Sequence, residues 1–207
     1  MDMANRIKLH PVTPHARRIF ELVDALRAGQ ILLFPTDTQY ALGCAYTNKK
    51  GVERIRTIRR LAPDHTFTLI TDSMTGLARF AHISDANYKR IKRLIPGPYT
   101  FILPATREVP SLLLAKRKTV GFRVPDHPIC QRLIEHLGEP LLAVTAQSIG
   151  PDGGILDREL LIEALQNQVD VVVDNEQPGT SDQTTVLDLT GDEPRLIREG
   201  AGAFAAI

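Results

Sequence analysis

The sequence holds 207 residues, 43% of them hydrophobic, with a formal net charge of +1; that is enough for a single domain, 1–207, with a sizeable core. No apolar run approaches the roughly 18 residues of a membrane-spanning helix, and the opening "MDMANRIKLH" lacks the apolar centre of a secretory signal, so a cytoplasmic protein without a membrane partner is expected. Two cysteines, Cys44 and Cys130, exclude a disulfide framework, and the six histidines show no metal-ligand spacing, so no metal site is expected.

In chain order, Thr13 and Pro14 read as an N-cap and a first-turn proline, and Ile19, Phe20, Val23 and Leu26 recur at helical spacing until Gly29. "ILLF" (31–34) is too short for a helix and reads as a strand covered on both faces. A helix is expected from Asn48 to Leu61, then a strand "TFTLI" (66–70), a helix from Ser84 to Leu94, and strands "TFILPA" (100–105) and "TVGFRV" (119–124). A helix through Leu133 and Leu137, strand "LLAVTA" (141–146), helix 157–168, strand "VDVVVD" (169–174) and paired segments at 184–189 and 195–199 complete the alternation. Some strands follow one another without an intervening helix, so the fold class is α/β with a mixed sheet.

Polar residues recur at strand ends: Thr36 and Thr38 after the first strand, Arg123 late in "TVGFRV", Thr145 and Gln147 after "LLAV", and Thr184 before "TVLDL". Open α/β sheets bind ligands outside strand ends, so these residues are expected to share one crevice. Turn chemistry alone would also explain Pro35-Thr36-Asp37-Thr38. Arg123 lies in an otherwise apolar strand, where its guanidinium needs a carboxylate, either from a ligand or from a neighbour such as Asp37. Charge is unevenly distributed: residues 1–130 carry 21 Lys and Arg against 10 Asp and Glu, and 131–207 carry 4 against 14. Clusters at 54–60, 89–93 and 116–118 suit phosphate or RNA, or are solvated helix faces.

The blocks "PTDTQYALG", "PGPYTFIL", "TVGFRVPDHP", "TTVLDL" and "IREGAG" resemble, in the same order, those of the YrdC-like family, which includes the threonylcarbamoyl-AMP synthases. The resemblance covers roughly residues 15–203 and is most like the YciO branch. It implies a twisted mixed sheet flanked by helices around a large, positively charged concave pocket. It further implies condensation of L-threonine, bicarbonate and ATP, with Mg²⁺, into threonylcarbamoyl-adenylate and pyrophosphate for tRNA modification, and binding of tRNA or double-stranded RNA. By resemblance Thr36, Tyr40, Arg123 and Thr184 bind threonine, and Arg59, Arg60, Thr119, Thr145, Gln147 and Arg198 bind the nucleotide.

Two departures stand out. The synthases carry Lys-x-Arg after the second helix; aligned without a gap, this chain reads Arg59-Arg60-Leu61, so leucine replaces the second cation unless the register shifts to Arg60. The family's Ser-x-Asn reads Thr145-Ala146-Gln147, which keeps hydroxyl and amide but adds bulk. These substitutions admit a weak or altered synthase, an RNA- or nucleotide-binding protein without synthase activity, or hydrolysis of an adenylate or modified nucleoside. "PGPYT" (96–100) reads as a structural turn, and His65 and His127 as ordinary loop residues or helix-start neighbours.

Overall fold

The computed structural model describes residues 3–62, 65–114, 118–146, 157–178, 180, 182–191 and 193–204. In chain order its elements are β1 (Asn5–Lys8), α1 (Ala16–Arg27), β2 (Leu32–Phe34), β3 (Ala41–Ala45), α2 (Lys49–Arg59), β4 (Thr68–Ile70), α3 (Met74–Phe80) and α4 (Asp85–Leu94). There follow β5 (Tyr99–Pro104), β6 (Thr119–Arg123), α5 (Pro128–Leu137), β7 (Leu141–Thr145), α6 (Arg158–Leu165), β8 (Val171–Asp174), β9 (Thr185–Asp188) and β10 (Arg195–Arg198). The described strands form one mixed sheet in the order β1-β8-β2-β3-β7-β4-β6-β5-β9-β10. Parallel pairs (β1·β8, β2·β8, β4·β6, β5·β9) alternate with antiparallel ones such as β2·β3 and β3·β7.

The helices divide between the two faces. Apolar residues of α2, α3, α4 and α6 join Leu42, Leu69, Phe101, Phe122, Leu142 and Leu187 in a core on one face. On the other, Ile19, Leu22, Val23 and Leu26 of α1 and Ile129, Leu133 and Leu137 of α5 cover Leu32, Phe34, Ala41, Leu141, Ala143, Val171 and Val173. This second cluster ends at Ile70 of β4, about midway across the sheet. Successive residues of a strand point to opposite faces, so beyond β4 that face is left open while its reverse stays packed.

Local chemistry sets the helix ends. The N-cap expected at Thr13 lies in a turn instead: its backbone N–H donates to Nδ1 of His10 (3.1 Å), its hydroxyl lies 3.0 Å from the same atom, and α1 starts only at Ala16. Asn48, Ser84 and Asp157 cap α2, α4 and α6 by accepting the N–H groups of Gly51, Asn87 and Leu160. Arg60 ends α2 in the left-handed conformation (φ 49°). Three elements were not expected from the sequence: β1, in which only Ile7 is buried; β3, made of small residues; and α3, capped by Ser73.

Close approach of β2, β3 and β7 requires glycine at position 43, where a Cβ would lie 2.7 Å from Cε1 of Phe34 and 2.8 Å from the Leu142 carbonyl oxygen. Gly43→Ala should therefore cost about 1–3 kcal/mol in urea unfolding, whereas Gly191→Ala, with nothing within 4 Å, should change stability by less than about 0.5 kcal/mol. Equal effects of the two substitutions would contradict this packing.

Candidate anion-binding site

The open half of the sheet face is the floor of a cavity of about 330 Å³. Residue pairs two apart supply it: Thr68 and Ile70 of β4, Gly121 and Arg123 of β6, Thr100 and Ile102 of β5, and Ala143 and Thr145 of β7, with Ala41 of β3 and Val186 of β9 at its ends. Register confirms the common face, since Thr68 is opposite both Gly121 and Ala143, Ile102 opposite Gly121, and Ala41 opposite Thr145. The site thus lies on the face of the sheet, not outside its strand ends as expected. Gly121 keeps the floor low: a Cβ there would lie 2.9 Å from Oγ1 of Thr68.

Arg123 is 8% exposed and anchors one corner. Its Nη2 donates to Oδ1 of Asp37 (2.5 Å), Oγ1 of Thr38 (2.8 Å) and Oγ1 of Thr36 (3.4 Å). Of the two partners the sequence leaves open, the neighbour Asp37 is therefore engaged, through a single oxygen. Thr36 itself holds the loop: its hydroxyl donates to the Gln39 carbonyl (2.7 Å) and accepts the Thr38 N–H (3.1 Å). It stands behind the cavity wall, which Thr38, Gln39 and Tyr40 form instead. The Tyr40 hydroxyl donates to Oδ1 of Asn175 (2.9 Å), and burial pushes its pKa up to about 12.

On the same side of the floor, Arg198 donates through Nε and Nη2 to the Thr184 carbonyl (3.1 and 2.9 Å) and through Nη2 to the Thr184 hydroxyl (2.9 Å), which lies 3.0 Å from the hydroxyl of Thr100, next to Phe101 on β5, the residue opposite Phe122 of β6. Burial, and secondarily the field of Arg123, lower the Arg198 pKa; burial alone lowers that of Arg59, which also lines the cavity. Three guanidiniums line the cavity, and among the described lining residues there is no carboxylate. Such a site favours an anion with more than one charge.

The structure brings Tyr40, Arg59, Arg123, Thr145, Thr184 and Arg198 to this one cavity. Arg60 is exposed and outside the lining, whereas Leu61 faces it, as the ungapped alignment implies. Thr119 shares the floor's strand face but pairs with Pro104 beyond the lining, and Gln147 lies outside the described residues. Sequence reasoning missed His65, read as an ordinary loop residue, and Thr68, Thr100 and Gly121. A glycine inside a strand is a signal of close approach, and Thr68 and Thr100 alternate with the buried Leu69 and Phe101. Both cysteines are buried, with thiols pushed up to about 12, so neither is a thiolate at neutral pH.

The first basic cluster, 54–60, has internal duties. Arg54 pairs with Asp170 (2.7 Å), Arg56 lies over the Phe67 ring and Arg59 lines the cavity. The 89–93 cluster is on α4, on the face opposite the cavity, and Lys116 and Arg117 lie outside the described residues. Pyrophosphate is the simplest probe of the cavity. At about 100 times its Kd it should add about 2.7 kcal/mol, or about 5–10 °C in Tm, and the paired substitution Arg59→Gln with Arg198→Gln should remove most of that shift. An undiminished shift in the double variant would contradict the assignment.

The Sua5/YciO/YrdC family model, described as telomere recombination, matches residues 24–200. The Escherichia coli K12 protein named "Uncharacterized protein YciO" is 40% identical over 201 residues, covering 97% of each chain. A crystal structure of E. coli YciO matches with a TM-score of 0.89 at 37% identity and 99% coverage of both chains. The threonylcarbamoyl-AMP synthase of Vibrio vulnificus is 32% identical over 133 residues, 63% of this chain and 72% of that one. P. abyssi Sua5 complexed with L-threonine matches with a TM-score of 0.84 at 28% identity, over 94% of this chain and 57% of that one. The chain belongs to the Sua5/YciO/YrdC family.

Proposed function

We propose that the cavity binds L-threonine through its carboxylate at Arg123 and an adenine nucleotide through its phosphates at Arg59 and Arg198, and that it joins them with bicarbonate into threonylcarbamoyl-adenylate. The observation that carries this reading is the gathering of Arg59, Arg123 and Arg198 in one cavity, over a floor of hydroxyls and apolar groups with no described carboxylate. The relatives named as threonylcarbamoyl-AMP synthase and solved with L-threonine support it. In the reaction the threonine nitrogen bonds to the bicarbonate carbon with loss of water, and a carbamate oxygen then displaces pyrophosphate from the α-phosphorus of ATP. Negative charge grows on the departing pyrophosphate, where fixed cations act most strongly. Among the described residues the lining offers Mg²⁺ no carboxylate, so a metal acting here would be held by the ATP phosphates, whose charge it would help to offset. The adenylate would then supply tRNA modification.

Leu61 favours a second reading. An apolar side chain in the cavity wall at the position of the family's second phosphate cation suits a protein that binds nucleotide or RNA, or hydrolyses an adenylate, without efficient pyrophosphate release.

Mass spectrometry of the protein incubated with threonine, bicarbonate, ATP and Mg²⁺ separates the two. Product identifies the synthase; ligand-induced stabilisation without product identifies the second reading. Arg123→Ala should raise the threonine KM at least about thirtyfold, the equivalent of about 2 kcal/mol of charged hydrogen bonding. Leu61→Arg combined with Gln147→Asn should accelerate adenylate formation, and a gain of about 2 kcal/mol appears as roughly thirtyfold in rate. A folded double variant no faster than wild type would contradict the view that these two positions limit the chemistry.

A further inference from the structure

Behind the Arg123 corner, three polar atoms are buried without a hydrogen-bond partner: Nε of Arg123, Oδ2 of Asp37 and Nδ1 of His127. Each such atom ordinarily costs about 1–3 kcal/mol, and native folds hold few of them. The fold brings them together: Asp37 pairs with Arg123, and the Cys130 thiol, in the first turn of α5 after His127, donates to the carbonyl of Pro35, two residues before Asp37; the charges of Asp37 and Arg123 accordingly act on the His127 imidazole in opposite directions. Asp37 comes from the loop after β2, Arg123 from the end of β6, and His127 immediately precedes α5. The other titratable groups in the cluster are Asp126, in the β6–α5 turn, which also acts on His127, and Cys130 of α5, whose thiol donates to the Pro35 carbonyl (3.2 Å). His127 is the residue at the α5 N-cap, yet its side chain makes no capping bond, so helix geometry does not account for its burial.

Without ligand the buried pair is balanced: Asp37 compensates Arg123, the carboxylate of Asp126 lies exposed at the edge of the cluster, and burial favours neutral His127 by lowering its pKa. A ligand carboxylate at Arg123 breaks that balance, because it brings a second negative charge into a corner where Asp37 already occupies Nη2. Moving Asp37 aside does not remove its charge; adding a proton to the cluster does.

We propose that His127 is a proton-linked positioning residue, taking up one proton as a ligand carboxylate binds at Arg123 and so holding Asp37 while the guanidinium turns to the ligand. The inference rests on the reading of Arg123 as the carboxylate site given above. The sign follows directly. Carboxylate binding raises the imidazole pKa, so binding consumes a proton, and affinity rises as pH falls from the bound-state toward the free-state pKa, by up to about tenfold per pH unit.

Isothermal titration calorimetry of L-threonine into the full chain, in buffers of different ionisation enthalpy between pH 6 and 8, counts the proton. Wild type should take up a substantial fraction of one proton, and His127→Gln should bind with none and with a flat pH profile. Asp37→Asn tests the same balance without altering the imidazole: it should bind threonine more tightly near pH 8, also without proton uptake. A purely structural His127 would change stability without changing the proton count. Binding without uptake in wild type, or uptake that persists in His127→Gln, overturns this inference and leaves the carboxylate site standing. No threonine binding at any pH overturns the carboxylate site and this inference with it.

Discussion

The buried guanidinium of Arg123 is the constraint around which the site is arranged. It stands on the floor of a sheet face that α1 and α5 cover only as far as β4, so it is shielded from bulk water without being enclosed in hydrocarbon. A charge in that position is tolerable only with a compensating anion, and Asp37 supplies it through one oxygen. The loop carrying Asp37 is held by its own threonine hydroxyls, with Thr36 bonded to Gln39 and Thr38 while Thr38 also accepts from Arg123. Proline, threonine and aspartate at the end of a buried strand therefore serve turn chemistry and charge compensation together. Binding at this corner is an exchange of partners at Arg123, not the filling of a passive hole.

The second organising feature is the segregation of charge. The basic N-terminal and acidic C-terminal parts of the sequence meet where β1 lies parallel to β8: Arg6 pairs with Asp174 and Glu159, Lys8 with Glu176, and, from the far side of the same strand, Arg54 of α2 with Asp170. Arg158 reaches Asp174 as well. Three cations of the basic part are thus paired with the acidic part within the fold. Arg59, Arg123 and Arg198 instead line the cavity.

Long elements with strong periodicity were legible in the sequence. The helices at α1, α2 and α4 and the strands "TFILPA", "TVGFRV" and "LLAVTA" occur within a residue or two of their expected bounds, and α5 runs through Leu133 and Leu137 as expected. β3 was hidden by its small residues, and β1 by having one buried side chain in four. For the site, Arg123 announced itself as a charge in an apolar strand, whereas Arg198, on the exposed strand β10, was legible only through the resemblance. The floor did not announce itself: whether Thr68, Thr100 and Gly121 face a ligand or a helix depends on which half of the sheet face α1 and α5 reach, a fact of tertiary packing that no local pattern encodes. The crevice expected to gather Thr38, Arg123, Thr145 and Thr184 exists, but for the same reason its floor is the sheet face and not the space beyond the strand ends.

A crystal structure of the protein grown with L-threonine and a non-hydrolysable ATP analogue tests the central claim most directly. The account predicts threonine on the sheet face with its carboxylate within hydrogen-bonding distance of the Arg123 guanidinium, and phosphates between Arg59 and Arg198. Ligand seated away from this floor, with the Arg123–Asp37 pair unchanged, would contradict it.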